Sequence, residues 1–442
     1  MSDRPAPARR PYRVAAEPAA LALLLVGIAT GLGVLGDWRA ELGRFQALML
    51  AAFAAYALAV WRRPRWRALP GAGACVVCVA LALRVAVLAT PPTLSDDLFR
   101  YAWEGRVLAH GASPYAHAPA DPALARFRDA RVYPRVNHPE LSAIYPPLAE
   151  AGFALVARVG DGTAAIKLWV LVNDILLCIV LAWWCAARGG SAWDALVYAW
   201  NPLAVAEYAG SGHFDPAGLL WLVLALALAE RRRARDSAAS LAASVMTKLV
   251  ALPALPFLLR DWPARVRFVA VPVLALLLAG YVVLARGPHS GLAAFAAHWR
   301  HNDSLFGLLA AANGERTARV LAAALLVALV TWLLWRRVAT LPATRLALRA
   351  GLLLGPVLHP WYLGWVLALE PLQPSAAWLT LTCTVLLGYG SFAPPAAGGA
   401  YHPGAWTRLV EYGLPALVAV AAAHARRRAA RPLEGNGVRT LA

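Results

Sequence analysis

Long apolar runs alternate with short polar breaks along nearly the whole chain, and none shows the two-residue alternation of a half-buried strand. Runs at 18–36, 45–61 and 69–91 each approach the roughly 20 residues that carry a helix across a bilayer core. A long polar segment, 92–144, follows. The next run, 145–160, is short and carries Glu150 and Arg158, so it reads as interfacial or re-entrant. Further spans are expected at 164–187, 193–210, 214–229, 266–285, 318–335, 375–392 and 408–424. Two segments resist a single crossing. In 237–259, Lys248 is followed by Pro253 and Pro256; in 346–369, Pro356 is followed by His359 and Pro360. Both predict broken helices that dip in and return, because irregular backbone at membrane depth is tolerated only where it lines protein or a cavity.

The pattern predicts an all-α polytopic membrane protein with about 10–13 transmembrane helices, counting broken ones. It forms one domain over 1–442, with a large loop at 92–163 and a short cytoplasmic tail at 426–442. Composition agrees: 60% of residues are hydrophobic and 15% charged, against about 25% charged in soluble domains. The absence of strand periodicity argues against a β-barrel. The net charge of +18 sits in short clusters between spans, WRRPRWR (61–67), ERRRAR (230–235), WRR (335–337) and HARRR (424–428). That is the positive-inside pattern, not a nucleic-acid footprint. Arg4, Arg9, Arg10 and Arg13 precede the first run, which reads as a signal anchor. The five cysteines lie in apolar runs, and the Cys75-x-x-Cys78 pair is read as small buried apolar residues within a span.

This orientation puts 92–144 outside, together with His110, His117, His138, His213, His289, His298, His301, His359 and His402; His424 alone faces in. Polar chemistry therefore gathers on one side. The outer loop opens with TLSDDLFRYAWEGR (93–106). Ser95 fits a helix N-cap, with Asp96 and Asp97 in the first turn, where the helix dipole favours anions. The helix is expected to run to His110 and stop at Gly111. Leu94, Leu98, Tyr101 and Leu108 share a face, which predicts a helix lying flat on the membrane surface. Asp97, Arg100 and Glu104 share another, as an ion-paired ladder or as the support for a carboxylate held at fixed depth. His138 and Glu140 follow in VNHPEL; two such groups without a third do not make a metal site, and no metal ligand is assigned.

Five stretches together carry a resemblance: SDDLFRYAWEGRVLAHGASPY, NHPELSAIYPPL, WNPLAVAEYAGSGHFD, HWRHNDSLFGLL and HPWYLGW, in that order between residues 95 and 365. The chain resembles bacterial polyprenol-phosphate-mannose-dependent mannosyltransferases and, more broadly, the GT-C superfamily of integral membrane glycosyltransferases. The resemblance implies inverting transfer of a sugar from a lipid phosphate, with an acid of the first loop as base. The D-x-x-R-Y arrangement falls on Asp97, Arg100 and Tyr101, which makes Asp97 the first choice and Asp96 the second. Relatives that modify lipid A carry a lysine before the Pro-Pro of the first loop. Tyr145 stands there in this chain, which argues against an aminosugar role. The soluble C-terminal domain of some relatives is not expected.

The chemistry demands little else. A glycosyl phosphate already has a good leaving group, so the protein must deprotonate an acceptor hydroxyl, align it, and neutralise the departing phosphate. Lys248, His359, Arg300, His301 and Arg100 are the candidates for the phosphate. Lys248 sits in an apolar run, where an uncompensated charge costs about 2.5–3.5 kcal/mol; intramembrane ionisable residues are functional by default. Glu104, His138, Glu140, Tyr145, His213, Asp215, Asn302, Asp303, Trp361 and Tyr362 are candidate sugar or acceptor contacts. Arg84, inside a span, has an acid or a lipid headgroup as its expected partner. The expected partners are a polyprenyl-phosphate-linked sugar, most simply mannose, a glycan or glycolipid acceptor, and membrane lipid, at the plasma membrane with the site on its outer side. No cofactor is required, and a divalent metal is left open. The competing readings are a transporter or flippase of lipid-linked sugars, suited by the broken helices, and a non-catalytic envelope subunit.

Overall fold

The structure, a computed structural model, describes residues 11–160, 162–392 and 404–429. His402 and most of the expected tail at 426–442 lie outside the described residues. The architecture is all-α. There is no sheet among the described residues, and a single isolated bridge joins His301 and Val357.

The first half of the bundle comprises α1 (Pro11–Leu35), α2 (Leu42–Arg62), α3 (Ala72–Leu88), α4 (Asp97–Ala109), α5 (Pro147–Ala157), α6 (Thr163–Ala187), α7 (Asp215–Glu230) and α8 (Ala234–Thr247). The second half comprises α9 (Leu255–Asp261), α10 (Ala264–Leu284), α11 (Glu315–Trp335), α12 (Thr340–Leu354), α13 (Ala376–Thr384) and α14 (Leu414–Ala429). Among the described residues, five helices are long and apolar enough to cross a membrane, at 16–35, 42–66, 163–187, 264–284 and 315–335. Large apolar side chains on α10 and α11, among them Phe268, Leu276, Val320 and Val327, are left exposed. In a protein that meets lipid, those faces need no partner. The five cysteines are free; Cys178 and Cys185 are buried, whereas Cys78 is exposed on its helix, against the expectation of burial.

Four other apolar runs are short or interrupted, each for a local reason. The run 193–210 is not one helix. Pro202 brings no backbone N–H, and Asn201 restarts the chain by accepting the Leu203 N–H at 2.9 Å. Val205–Gly210 is then a π-helical turn, in which Ser211 N–H reaches back to Ala206 O at 2.8 Å. The 237–259 segment breaks at Lys248, whose backbone is extended (φ −157°, ψ 127°). The break precedes Pro253 because a proline ring clashes with the carbonyl four residues earlier. The 346–369 segment breaks after Leu354 and resumes as a short turn at Pro360–Leu363. The 145–160 run forms only α5, eleven residues long and too short to cross a bilayer.

Two expectations about α4 are corrected. Asp96, not Ser95, occupies the N-cap position; Ser95 Oγ accepts the Asp97 N–H at 3.3 Å. Nor is the burial of α4 confined to one apolar face, since every residue from Leu98 to Val107 is buried. It is enclosed by α5, α6 and the outer loop. Gly105 permits this: a Cβ there would lie 2.5 Å from Phe153 O of α5. The expected stop is present, with Gly111 at φ +81°.

Basic residues of the 61–67 loop and the end of α6 meet acids at one end of the bundle, where Arg63 pairs with Asp194 at 3.0 Å and Arg188 with Glu230. From there α8 rises about 20 Å to the break at Lys248. Arg84 has an acid partner rather than a lipid one. Its Nε donates to Asp174 at 2.6 Å with both side chains buried, and Tyr198 donates to the other oxygen at 2.7 Å.

Candidate active site

The break at Lys248, the start of α4 and the outer loops enclose a cavity of about 440 Å³. Asp97 lines it, with a quarter of its side chain open. Its Oδ1 accepts the Asn137 amide at 2.7 Å, and its Oδ2 lies 3.4 Å from the Tyr101 hydroxyl. Protein surrounds the carboxylate on its remaining sides, and that desolvation pushes its carboxyl up, against the Asn137 hydrogen bond and the Lys248 charge. Asp96 lines the same cavity but is half exposed and faces Arg135 at 3.6 Å.

Asn137 is placed by Arg100. The Arg100 guanidinium donates to Glu104 at 2.8 Å and to the carbonyls of Asn137, His138 and Leu141 at 3.0, 2.9 and 2.6 Å. Arg100 touches the cavity, but four of its N–H donors are engaged, one by Glu104 and three by the 137–141 segment of the loop. Glu104 is buried beneath it and does not line the cavity. The ladder read from the sequence thus exists as an Arg100–Glu104 pair that fixes the loop segment carrying Asn137.

Lys248 lines the same cavity. Its Nζ donates to Asp215 at 2.7 Å and lies over the rings of Phe214 (5.1 Å) and Tyr362 (4.8 Å). Asp215 also accepts from Trp365 Nε1 at 2.7 Å and is fully buried. It is therefore the counter-ion of Lys248 rather than a cavity contact. His301 and His359 line the cavity too. Backbone bonds from His301 N–H to Pro356 O (3.0 Å) and from Leu358 N–H to His301 O (2.9 Å) bring the HWRHNDS and HPWYLGW stretches together. Their rings form a stack, with His301 on His359 at 4.5 Å, His359 on Trp361 at 4.3 Å and Trp361 on His213 at 3.6 Å.

Of the remaining candidates, His138, Tyr145, Asn302, Trp361 and Tyr362 line the cavity. Arg300, Asp303, Glu140 and His213 do not. Arg300 is engaged by Asp303 (2.5 Å) and Glu315 (2.9 Å), and Asp303 also faces Arg408. Glu140 is turned to solvent beside His138. His213 is buried behind Asp97. The sequence reading passed over Arg39, Asn137, Tyr281 and Tyr389, all in the cavity wall. For Arg39 a signal existed: it lies in the short loop between α1 and α2, which the charge pattern of the sequence places on the side where basic residues are disfavoured. Among the described residues no three His, Cys, Asp or Glu side chains are grouped to hold a metal ion.

The arrangement offers the Asp97 and Asp96 carboxylates, the Lys248 ammonium and an aromatic wall around a space large enough for a sugar. Among known proteins, residues 17–264 match the model of the MptA_B family, described as alpha-(1->6)-mannopyranosyltransferase, N-terminal domain. No curated protein and no solved structure matches the chain. The match covers more than half of the chain, including Asp97, Asn137 and Lys248, and this all-α membrane protein belongs to that mannosyltransferase family.

Proposed function

We propose that the protein is a GT-C-type inverting mannosyltransferase that takes its sugar from a polyprenyl-phosphate donor and passes it to a hydroxyl of an envelope glycan or glycolipid. The observation that carries this reading is that Asp97 and Lys248 line one cavity. Asp97 removes the acceptor proton as the hydroxyl oxygen attacks the anomeric carbon. Lys248, with His301 and His359 beside it, meets the phosphate as the bond to the sugar breaks. The aromatic wall of Tyr145, Trp361 and Tyr362 packs on the sugar. A single displacement inverts the anomeric centre, so an alpha product requires a beta-linked donor. The basic clusters lie at the other end of the bundle from the cavity, which supports an outer-face site in the plasma membrane.

The test is incubation of the purified protein with radiolabelled polyprenyl-phosphate mannose, glucose or arabinose and envelope glycan acceptors. Mannose transfer that disappears in Asp97→Asn, with the variant still folded, is the expected result. Consumption of no donor overturns the reading.

A further inference from the structure

His213 has no hydrogen bond at either ring nitrogen, although it is 1% exposed and lies between two carboxyl groups. Its Nδ1 is 3.9 Å from Asp97 Oδ2, and its Nε2 is 3.6 Å from Glu207 Oε2. Glu207 is fully buried on the π-helical turn. Its Oε1 accepts the Tyr389 hydroxyl at 2.6 Å, while Oε2 has no partner. The ring plane is held by the stack on Trp361, at 14°. Gly212, at φ +86°, turns the chain so that His213 faces α4; a Cβ there would lie 2.9 Å from Leu98.

We propose that Glu207 and His213 are positioning residues that hold the base: Glu207 carries its proton on Oε2 and gives it to Nε2, which fixes His213 as the Nδ1–H tautomer donating to Asp97 Oδ2. The proposal rests on the reading of Asp97 as the base. The donors settle the direction. Tyr389 occupies Oε1 as an acceptor, which leaves Oε2 to carry the hydrogen. Whichever nitrogen of a histidine accepts, the other must donate. Burial and the Lys248 charge both keep the imidazole neutral. The charged or titratable groups facing it are Asp97 from α4, Glu207 from the π turn, Lys248 from the helix break and, beyond Trp361, His359. Both contacts are longer than hydrogen bonds; such contacts commonly tighten only when substrate fills the site. Asn137 already holds Oδ1 and the Tyr101 hydroxyl lies 3.4 Å from Oδ2, so a second donor on Oδ2 holds the carboxylate more firmly and stabilises the ionised form.

Two measurements test this. In ¹⁵N-histidine spectra of the detergent-solubilised full chain, the His213 signal, assigned by its loss in His213→Gln, is expected as the Nδ1–H tautomer. An Nε2–H tautomer overturns the proposal whether or not Asp97 proves to be the base. In transfer assays, Glu207→Gln is expected to keep wild-type rates, because the amide both accepts from Tyr389 and donates to Nε2. Glu207→Leu and His213→Gln are expected to lower kcat roughly 10-fold with donor KM unchanged, and to move the acid limb of kcat/KM to higher pH. Equal damage from Glu207→Gln and Glu207→Leu, or an unmoved acid limb in His213→Gln, overturns it. Full activity in Asp97→Asn instead overturns the underlying base assignment.

Discussion

The side-chain amide of Asn137 donates to Asp97 Oδ1 at 2.7 Å across 40 residues of chain. The outer loop thus folds back to aim the carboxylate with which α4 begins. Replacing Asn137 by Ala removes a hydrogen bond to a charged group, worth about 1.5–3 kcal/mol. Transfer kcat is expected to fall about 10- to 100-fold, with donor KM little changed. Steady-state kinetics over a range of donor concentrations separate the two parameters.

The pH dependence follows from the same environment. Desolvation raises the Asp97 carboxyl above its ordinary value, and only the ionised form accepts a proton. Activity is therefore expected to be lost as pH falls through a midpoint above the usual aspartate value of about 3.9. Because the Asn137 bond acts to lower that midpoint, Asn137→Ala should move it further up. A kcat/KM profile of both proteins reads the sign directly.

Lys248 and Asp215 are expected to behave as a pair. Lys248→Met leaves the Asp215 carboxylate buried without its counter-ion, which costs on the order of 3–5 kcal/mol. Adding Asp215→Asn should restore much of the thermal stability in detergent while donor use stays impaired. Recovery of both would mean that Lys248 serves folding alone.

Arg39 lines the cavity from the loop between α1 and α2, close to Asp37 and Thr93. Arg39→Ala is expected to raise donor KM several-fold with kcat nearly constant, as for a group that holds the donor phosphate before and during transfer. A change in kcat alone would place it elsewhere in the reaction.

Much of this molecule is legible in residue order. The apolar runs gave the all-α membrane class, and the prolines after Lys248 and Leu354 marked both broken helices, because proline acts on its own few neighbours. The Asp pair at the head of α4 stood out in the same way. The one-sided burial expected of α4 was wrong, since a polar-to-apolar face reports a preference and not what packs against it. Arg300 and Lys248 looked alike as isolated cations, yet one is engaged outside the cavity and the other lines it.

By itself the sequence determined where the chain turns helical, where it must break, and that it lives in lipid, because propensity and hydropathy act over a few residues. Tertiary structure alone decided which polar groups share one cavity, placing Asn137 on Asp97, Asp215 on Lys248 and His213 behind the base. Hydropathy scores an apolar face alike whether it meets lipid or another helix. Which helices become neighbours, and so which charges meet, depends on close fits such as Gly105 against Phe153 that local patterns do not encode.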